Sequence, residues 1–188
     1  MRVLRAADHR RMPWKNGGGV TTEIAVFPEG AGLDDFDWRV SMANVASDGP
    51  FSQFPRVDRT VAVLEGEGIA LSVEGQGDRT LTRSSPPFSF PADRQTSARL
   101  VGGPIVDFNA MTRRGKFRHT VERLSSGPSQ TRLPGELTLV FCAAGNVVVR
   151  SGAEQATLAA HDAAICSPPC EIARGEAGEV YVVTLTAV

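Results

Sequence analysis

Glycine and proline interrupt this chain so often that long helices have little room. The 188 residues include 19 glycines and 12 prolines, spread along nearly the whole length. Both disfavour helix interiors, glycine through its backbone freedom and proline through its missing N–H. Between these interruptions, Phe36, Trp38, Val40 and Met42 alternate with polar residues, which is the period of a half-buried strand. The sequence therefore predicts an all-β sandwich or barrel.

Further short strands are predicted between turn signals such as Gly49-Pro50 and Gly145-Asn146. These strands span residues 20–27, 60–64, 69–74, 105–111, 137–142, 147–150 and 180–186.

A weak internal repetition indicates two β-barrel halves. The order of strand, glycine turn and strand in residues 64–93 returns in residues 141–165. We place the halves at about 1–112 and 113–188 within a single unit of 188 residues, with the junction in the polar stretch 112–135.

Charge and composition limit the classes of partner. Twenty basic and 21 acidic residues give a formal net charge of -1, so the basic excess of nucleic-acid and membrane-surface binders is missing. The longest apolar run, 139–144, is far shorter than the roughly 20 residues of a membrane span. Three cysteines without the spacing of a disulfide framework indicate reduced thiols. We expect a cytoplasmic protein with neither a nucleic-acid nor a membrane partner.

Metal and nucleophile chemistry find little support in the residues. His9, His119 and His161 are far apart and lack the paired spacing of a metal site. Cys166 and Cys170 have no second pair to complete a structural zinc site. The sequence also lacks the Gly-x-Ser-x-Gly nucleophile elbow. We therefore expect no metal and no other cofactor.

Three predicted strands carry distinct polar faces. Arg39 and Ser41 lie opposite the apolar face of one strand, and Asp107 and Asn109 opposite that of another. Thr21 and Glu23 lie opposite the apolar face of the third. Taken strand by strand, the favoured interpretation is that these faces meet water, as one side of an antiparallel sheet commonly does. Alternation does not show whether the faces meet each other.

The segment 14–25 combines three consecutive glycines with polar neighbours and a following strand. Lys15 and Asn16 precede the glycines, and Glu23 follows them on the face opposite Val26. A Walker-type phosphate loop would need its lysine after the glycines and a helix next. We therefore interpret this corner as the rim of a small-molecule pocket.

Ordered motifs in the sequence resemble the HutD/Ves family over about residues 10–115, and more weakly up to residue 188. The motifs are Trp14-Lys15-Asn16-Gly17-Gly18-Gly19, Phe36-Asp37-Trp38-Arg39-Val40-Ser41-Met42-Ala43, Gly49-Pro50-Phe51-Ser52, Asp58-Arg59-Thr60 and Asp107-Phe108-Asn109-Ala110-Met111. The resemblance implies a cupin-type, RmlC-like jelly-roll fold, arranged as a bicupin. It also implies a regulatory or small-molecule-binding role in histidine utilisation with a formylglutamate-like carboxylate as ligand, or a stress-response role in the Ves branch.

With this resemblance, a carboxylate-binding pocket becomes the leading interpretation of the polar residues. The predicted ligand-binding residues are Lys15, Asn16, Glu23, Arg39, Ser41, Arg59, Asp107 and Asn109. The three cations would neutralise carboxylates, and the amides and hydroxyl would bond amide or formyl groups. The two carboxylates would bind N–H groups or hold the cations in place. Alternatively, the charged residues pair with one another and only brace the barrel.

Three functions remain open at this point. The favoured one is a non-catalytic protein that binds a small anionic metabolite of histidine degradation. The second is a metal-independent isomerase or hydrolase with Glu23 or Asp107 as general base. The third is a protein-interaction module that uses the basic segment 113–123. A homodimer is possible in each case.

Overall fold

The computed structural model describes residues 1–14, 17–124, 129–133, 137–175 and 177–188. The fold is all-β, as predicted, and a 3-10 turn at Ala6–Asp8 follows the first strand. Among the described residues, no helix is long and apolar enough to cross a membrane. The strands are β1 (Arg2–Leu4), β2 (Arg10–Pro13), β3 (Gly19–Phe27), β4 (Trp38–Val45), β5 (Gly49–Pro50), β6 (Val57–Glu65), β7 (Gly68–Val73), β8 (Gly77–Leu81), β9 (Phe88–Pro91), β10 (Thr96–Val101), β11 (Ile105–Arg113), β12 (Phe117–Leu124), β13 (Ser129–Leu133), β14 (Leu137–Ala144), β15 (Val147–Ser151), β16 (Glu154–Leu158), β17 (Ala163–Cys166), β18 (Cys170–Arg174) and β19 (Glu179–Ala187).

The chain divides into two compact units. The N-terminal unit is Arg10–Phe117, and the C-terminal unit combines Met1–His9 with Arg118–Val188. This division differs from the predicted halves because β11 continues to Arg113 and β1 pairs with β17 of the C-terminal unit. The bicupin arrangement stays a prediction.

Each unit contains two antiparallel sheets. In the N-terminal unit their strand orders are β2-β3-β4-β11-β6-β9 and β5-β10-β7-β8. In the C-terminal unit the orders are β1-β17-β14-β19-β12 and β13-β18-β15-β16. Strands distant in sequence are therefore neighbours in space, and β4 lies between β3 and β11.

All the strands predicted from alternation are present, and the strands that alternation missed are polar or short. The confirmed strands are β3, β4, β6, β7, β11, β14, β15 and β19. Strand β10 was not predicted, because the buried residues of its first half are only Thr96 and Ala98, which give a weak apolar pattern. Strand β8 was missed because four of its five residues are exposed. Such strands are held by their neighbours more than by their own pattern.

Two apolar clusters lie in the described part of the N-terminal unit. The larger joins both sheets and consists of Ala43, Val45, Val61, Val63, Ile69, Leu71, Val73, Leu81, Phe90, Ala98 and Ile105. The smaller consists of Phe36, Val57, Ala92 and Met111, with Val26, Ala31 and Phe54 packed against it. Burying each valine, leucine, isoleucine, phenylalanine or methionine side chain of these clusters stabilises the fold by about 1.5–3 kcal/mol.

The C-terminal unit has an apolar cluster that includes all three cysteines. Cys166 and Cys170 form a disulfide, so the prediction of reduced thiols is wrong for this pair. The spacing rule missed it because a local loop brings the two Cα atoms to 6.4 Å. Cys142 is a buried free thiol. Burial, with the nearby Asp162 carboxylate, raises the pKa of Cys142 to about 11, which suits a small hydrophobe and not a nucleophile.

Candidate functional site

The strand register of the six-stranded sheet brings the predicted polar residues together. Glu23 on β3 lies opposite Ser41 on β4, and Ser41 lies opposite Asn109 on β11. One step along the strands, Met111 lies between Arg39 and Arg59. Opposed residues in an antiparallel pair share a face, so these polar side chains lie on one face of the sheet, with Met111 between the two arginines.

Asp107 extends this surface by one further position, opposite Ala43 on β4 and Val63 on β6. The polar surface therefore continues directly into the larger apolar cluster, which contains both of these residues. At its other end, Met111 belongs to the smaller apolar cluster. We call the set Glu23, Arg39, Ser41, Arg59, Asp107 and Asn109 the polar interior.

Four residues of the polar interior are buried and Glu23 and Arg59 are partly buried, which overturns the expectation that these strand faces meet water. Arg39, Ser41, Asp107 and Asn109 are between 1% and 5% exposed. Alternation misled here because the opposite face of the same strands is buried too, as Val40 at 1% shows. When both faces of a strand are buried, the alternation of polar and apolar residues no longer shows which residues are exposed to solvent.

Arg39 and Glu23 form an ion pair inside the unit. Arg39 Nε donates to Glu23 Oε2 at 2.7 Å, and the two side chains are only 6% and 12% exposed. Arg39 Nη2 is buried and has no hydrogen-bond partner among the described residues. A buried donor without a partner costs about 1–3 kcal/mol. This nitrogen is therefore a ready donor for the oxygen of a bound molecule.

Arg59, Asn109 and Asp107 form a chain of hydrogen bonds. Arg59 Nε donates to Asn109 Oδ1 at 2.9 Å, and Arg59 Nη2 donates to the same oxygen. Asn109 Nδ2 donates to Asp107 Oδ1 at 2.7 Å. Asn109 thus connects the Arg59 guanidinium to the Asp107 carboxylate, which do not form a direct salt bridge.

Burial changes the ionisation of both ends of this chain. It lowers the pKa of Arg59 to about 10, although the charge of Asp107 opposes the change. Burial also raises the pKa of Asp107, against the opposing effects of Arg59 and Asn109. The Arg59 guanidinium lies 4.3 Å from the ring centroid of Phe51. Our list of site residues omitted Phe51, although it belongs to the motif 49–52 that supported the family resemblance.

The glycine corner is a tight turn that leads into β3. Trp14 N–H donates to Gly19 O at 2.9 Å, and Gly17 N–H donates to Trp14 O at 3.1 Å. Trp14 Nε1 donates to Thr21 Oγ1 at 2.8 Å, and the indole packs against the larger apolar cluster. Lys15 and Asn16 lie outside the described residues. Their predicted role at the rim of a pocket stays a prediction.

A β-bulge changes the face of one residue on β3. The register with β4 shifts between Glu23 and Ala25, so Val26 lies opposite Arg39. Val26 therefore shares the inner face with Glu23, and the prediction of opposite faces is wrong. One extra residue reverses the alternation beyond it.

The histidines and the basic segment 113–123 lie outside the polar interior. Among the described residues, no group of three His, Cys, Asp or Glu side chains could hold a metal ion. His119 lies in β12, and burial lowers its pKa to about 4. Arg113 donates to the carbonyl oxygens of Phe36 and Asp34, both at 2.8 Å. Arg123 pairs with Glu179 at 2.8 Å.

Comparison with known proteins connects this arrangement to a family. The HutD family model matches residues 6–182. An uncharacterised 21.2 kDa protein in the hutC 3' region of Pseudomonas putida is 39% identical over 163 residues, or 86% of this chain and 84% of that protein. Protein Ves of Cronobacter sakazakii is 41% identical over 118 residues, which cover 61% of this chain and 63% of Ves.

Solved structures extend the similarity to nearly the whole chain. A conserved protein of unknown function from Pseudomonas aeruginosa PAO1 has a TM-score of 0.88 and 34% identity, covering 98% of this chain and 97% of that one. HutD from Pseudomonas fluorescens SBW25, in a formate condition, has a TM-score of 0.82 and 34% identity, with coverage of 100% and 98%. The oxalate decarboxylase of Lactobacillus farciminis has a TM-score of 0.68, covering 99% of this chain and 88% of that one. At 7% identity it supports the cupin-like fold alone.

Proposed function

The chain belongs to the HutD family, and on that premise we propose that it is a non-catalytic regulatory protein that binds a small carboxylate. The ligand is an anionic metabolite of histidine utilisation, such as formylglutamate. The binding site is the polar interior of the N-terminal unit.

The unpartnered Nη2 of Arg39 carries this proposal. Glu23 fixes the guanidinium through Nε, so the direction of Nη2 is set before any ligand arrives. A carboxylate oxygen at Nη2 would satisfy a donor that otherwise costs free energy. It would also form a charge-assisted hydrogen bond, about twice as strong as a neutral one.

Neighbouring residues fit the same class of ligand. Arg59 supplies a second guanidinium, which is oriented by Asn109 and Phe51. Ser41 lies between Glu23 and Asn109 in the ladder and offers a hydroxyl group to a formyl or amide group. Two cations with neutral donors and acceptors between them suit a carboxylate that carries an amide.

Calorimetry with formate, glutamate, formylglutamate and urocanate tests the proposal. Arg39→Lys is the informative variant, because lysine keeps the charge opposite Glu23 but loses the guanidinium fork. The matched control is Arg99→Lys, since Arg99 is exposed on β10. We expect saturable binding of at least one compound by the native protein and the control, and about tenfold weaker binding by Arg39→Lys. Absence of heat and of a thermal shift with all four compounds overturns the proposal.

A second candidate is a metal-independent enzyme, because a buried carboxyl with a raised pKa suits general acid–base chemistry. This candidate requires conversion of one of the four compounds by the native protein. It also requires loss of that conversion in Asp107→Asn or Glu23→Gln. If all four compounds are unchanged after long incubation with the native protein, the enzyme candidate is excluded. Binding without conversion supports the first candidate.

A further inference from the structure

We propose that a carboxylate anion and a proton enter the polar interior together, with the proton going from solvent to the Asp107 carboxylate. This inference rests on the proposed function and describes how the same site is regulated. Binding would then strengthen as the pH falls, although the ligand itself stays ionised.

The first argument is the charge of the site. The polar interior holds two cations, Arg39 and Arg59, and two anions, Glu23 and Asp107, so its formal charge is zero before the ligand arrives. A carboxylate would leave one uncompensated negative charge among buried side chains. Burial of an unpaired charge is costly, and groups commonly change protonation to avoid it. Lys15 lies outside the described residues and is not counted here.

The second argument identifies the acceptor of the proton. Glu23 accepts a hydrogen bond directly from the Arg39 guanidinium at 2.7 Å, which stabilises its charge. Asp107 is 1% exposed, and its hydrogen-bond donors are neutral: the side-chain amide of Asn109 and the backbone N–H of Ala43. Neither Arg39 nor Arg59 forms a salt bridge with Asp107 in the described structure. Asp107 is therefore the carboxylate of the polar interior without a directly bonded cation, and we assign the proton to it.

The surroundings of Asp107 support the same assignment. The charged groups that face it are Arg59 from β6, Arg39 from β4 and Glu23 from β3, with Asn109 on its own strand. On the four-stranded sheet, the residues of the shared cluster are apolar: Ile69, Leu71, Val73, Leu81 and Ala98. Arg59 is thus the main electrostatic stabiliser of the Asp107 anion, and burial raises the Asp107 pKa despite it. A ligand anion beside Arg59 would offset that stabilisation and raise the pKa further.

Calorimetry of formate binding in Tris and in HEPES measures the number of protons taken up on binding, because the two buffers have different heats of ionisation. At about pH 7 we expect uptake of up to one proton for each formate bound. The dissociation constant should rise with pH, by as much as tenfold per pH unit between the pKa of Asp107 in the free protein and its higher pKa in the complex. Asp107→Asn should abolish the uptake and flatten this dependence.

Asp58→Asn is the matched control. Asp58 is a partly exposed carboxylate on β6, 3.6 Å from Arg114, and it lies on the opposite face of the strand from Arg59. The control should keep the proton uptake of the native protein. If native protein binds formate without proton uptake, the inference is wrong and the proposed function stands. If formate and the three other carboxylates all fail to bind, the proposed function itself is wrong. Ligand binding and proton uptake measured with the native protein test the inference even if Asp107→Asn does not fold.

Discussion

Gly19 and Asn44 approach so closely that a Cβ atom at position 19 would lie 2.3 Å from the backbone oxygen of Asn44. The same Cβ would lie 3.1 Å from the ring of Trp14. The third glycine of the corner therefore allows β3 to pair with β4 while the indole covers the turn. Because β3 carries Glu23, this contact also fixes the position of the carboxylate that orients Arg39.

Gly19→Ala should lower the free energy of unfolding by roughly 3 kcal/mol, because backbone or indole must move to relieve the clash. Gly17→Ala is the control, since Gly17 has open space around it and a φ of 71°. Its left-handed backbone should cost about 1–2 kcal/mol. Urea unfolding of both variants gives the comparison. Equal losses would show that the contact with Asn44 does not require glycine.

Arg39 and Glu23 should be strongly coupled in a double-mutant cycle. Arg39→Met or Glu23→Leu alone should cost about 3–5 kcal/mol, since each leaves a buried charge without its partner. The double variant should cost less than the sum by about 2–3 kcal/mol. The control cycle is Arg114 with Asp93, whose side chains are 41% and 35% exposed. That surface pair should couple by less than about 1 kcal/mol; additive losses at Arg39 and Glu23 would contradict the structural assignment.

Asn109→Leu should destabilise the N-terminal unit by about 2–3 kcal/mol. The leucine side chain has a similar shape, but it removes the acceptor for Arg59 and the donor for Asp107. Asn44→Leu serves as control, because Asn44 is exposed on the opposite face of β4. Thermal unfolding of both variants distinguishes the buried amide from an exposed one. A small effect of Asn109→Leu would mean that water replaces both hydrogen bonds.

Asp162 should make the stability of the C-terminal unit depend on pH in the acid range. Burial tends to raise the pKa of Asp162, but hydrogen bonds from Ala6 N–H, Arg5 and Ala159 N–H outweigh it and lower the pKa. A carboxylate with a lowered folded pKa stabilises the fold above its unfolded pKa. That stabilisation is lost as the pH falls through the folded value.

Asp162→Asn should therefore cost about 1–3 kcal/mol at neutral pH. The cost should shrink as the pH falls below about 4, because the carboxyl of the unfolded chain takes up its proton there while the native carboxyl, with its lowered pKa, is still ionised. Asp8→Asn provides the comparison, because Asp8 is exposed in the same N-terminal segment. Urea unfolding across the acid range would contradict this account if the Asp162→Asn deficit stayed constant.

Alternation in the sequence predicted which polar residues share a strand face, but not where that face points. Arg39 with Ser41, and Asp107 with Asn109, were paired correctly because β4 and β11 keep their period of two through these residues. Their burial could not be predicted, since the apolar side of each strand marks the core only when the other side meets water.

The failure at Val26 has a different origin. The bulge between Glu23 and Ala25 depends on how β3 pairs with β4, which is a tertiary property. The sequence around Ile24 contains no signal for the bulge, because an apolar residue at this position is compatible with either face of the strand. The hydrogen bonds from Arg59 through Asn109 to Asp107 were likewise beyond prediction, since they depend on the register between β6 and β11.

The residues of the polar interior come from four strands that span positions 23 to 109 of the chain. They meet only after β3, β4, β11 and β6 have all paired, so no short peptide from this protein can reproduce the site. A ligand that occupies such a site recognises the folded chain and not the unfolded one. At a hundred times its dissociation constant it would add about 2.7 kcal/mol of stability. If the polar interior binds a carboxylate as proposed, the resistance of the protein to proteolysis would follow the concentration of that ligand.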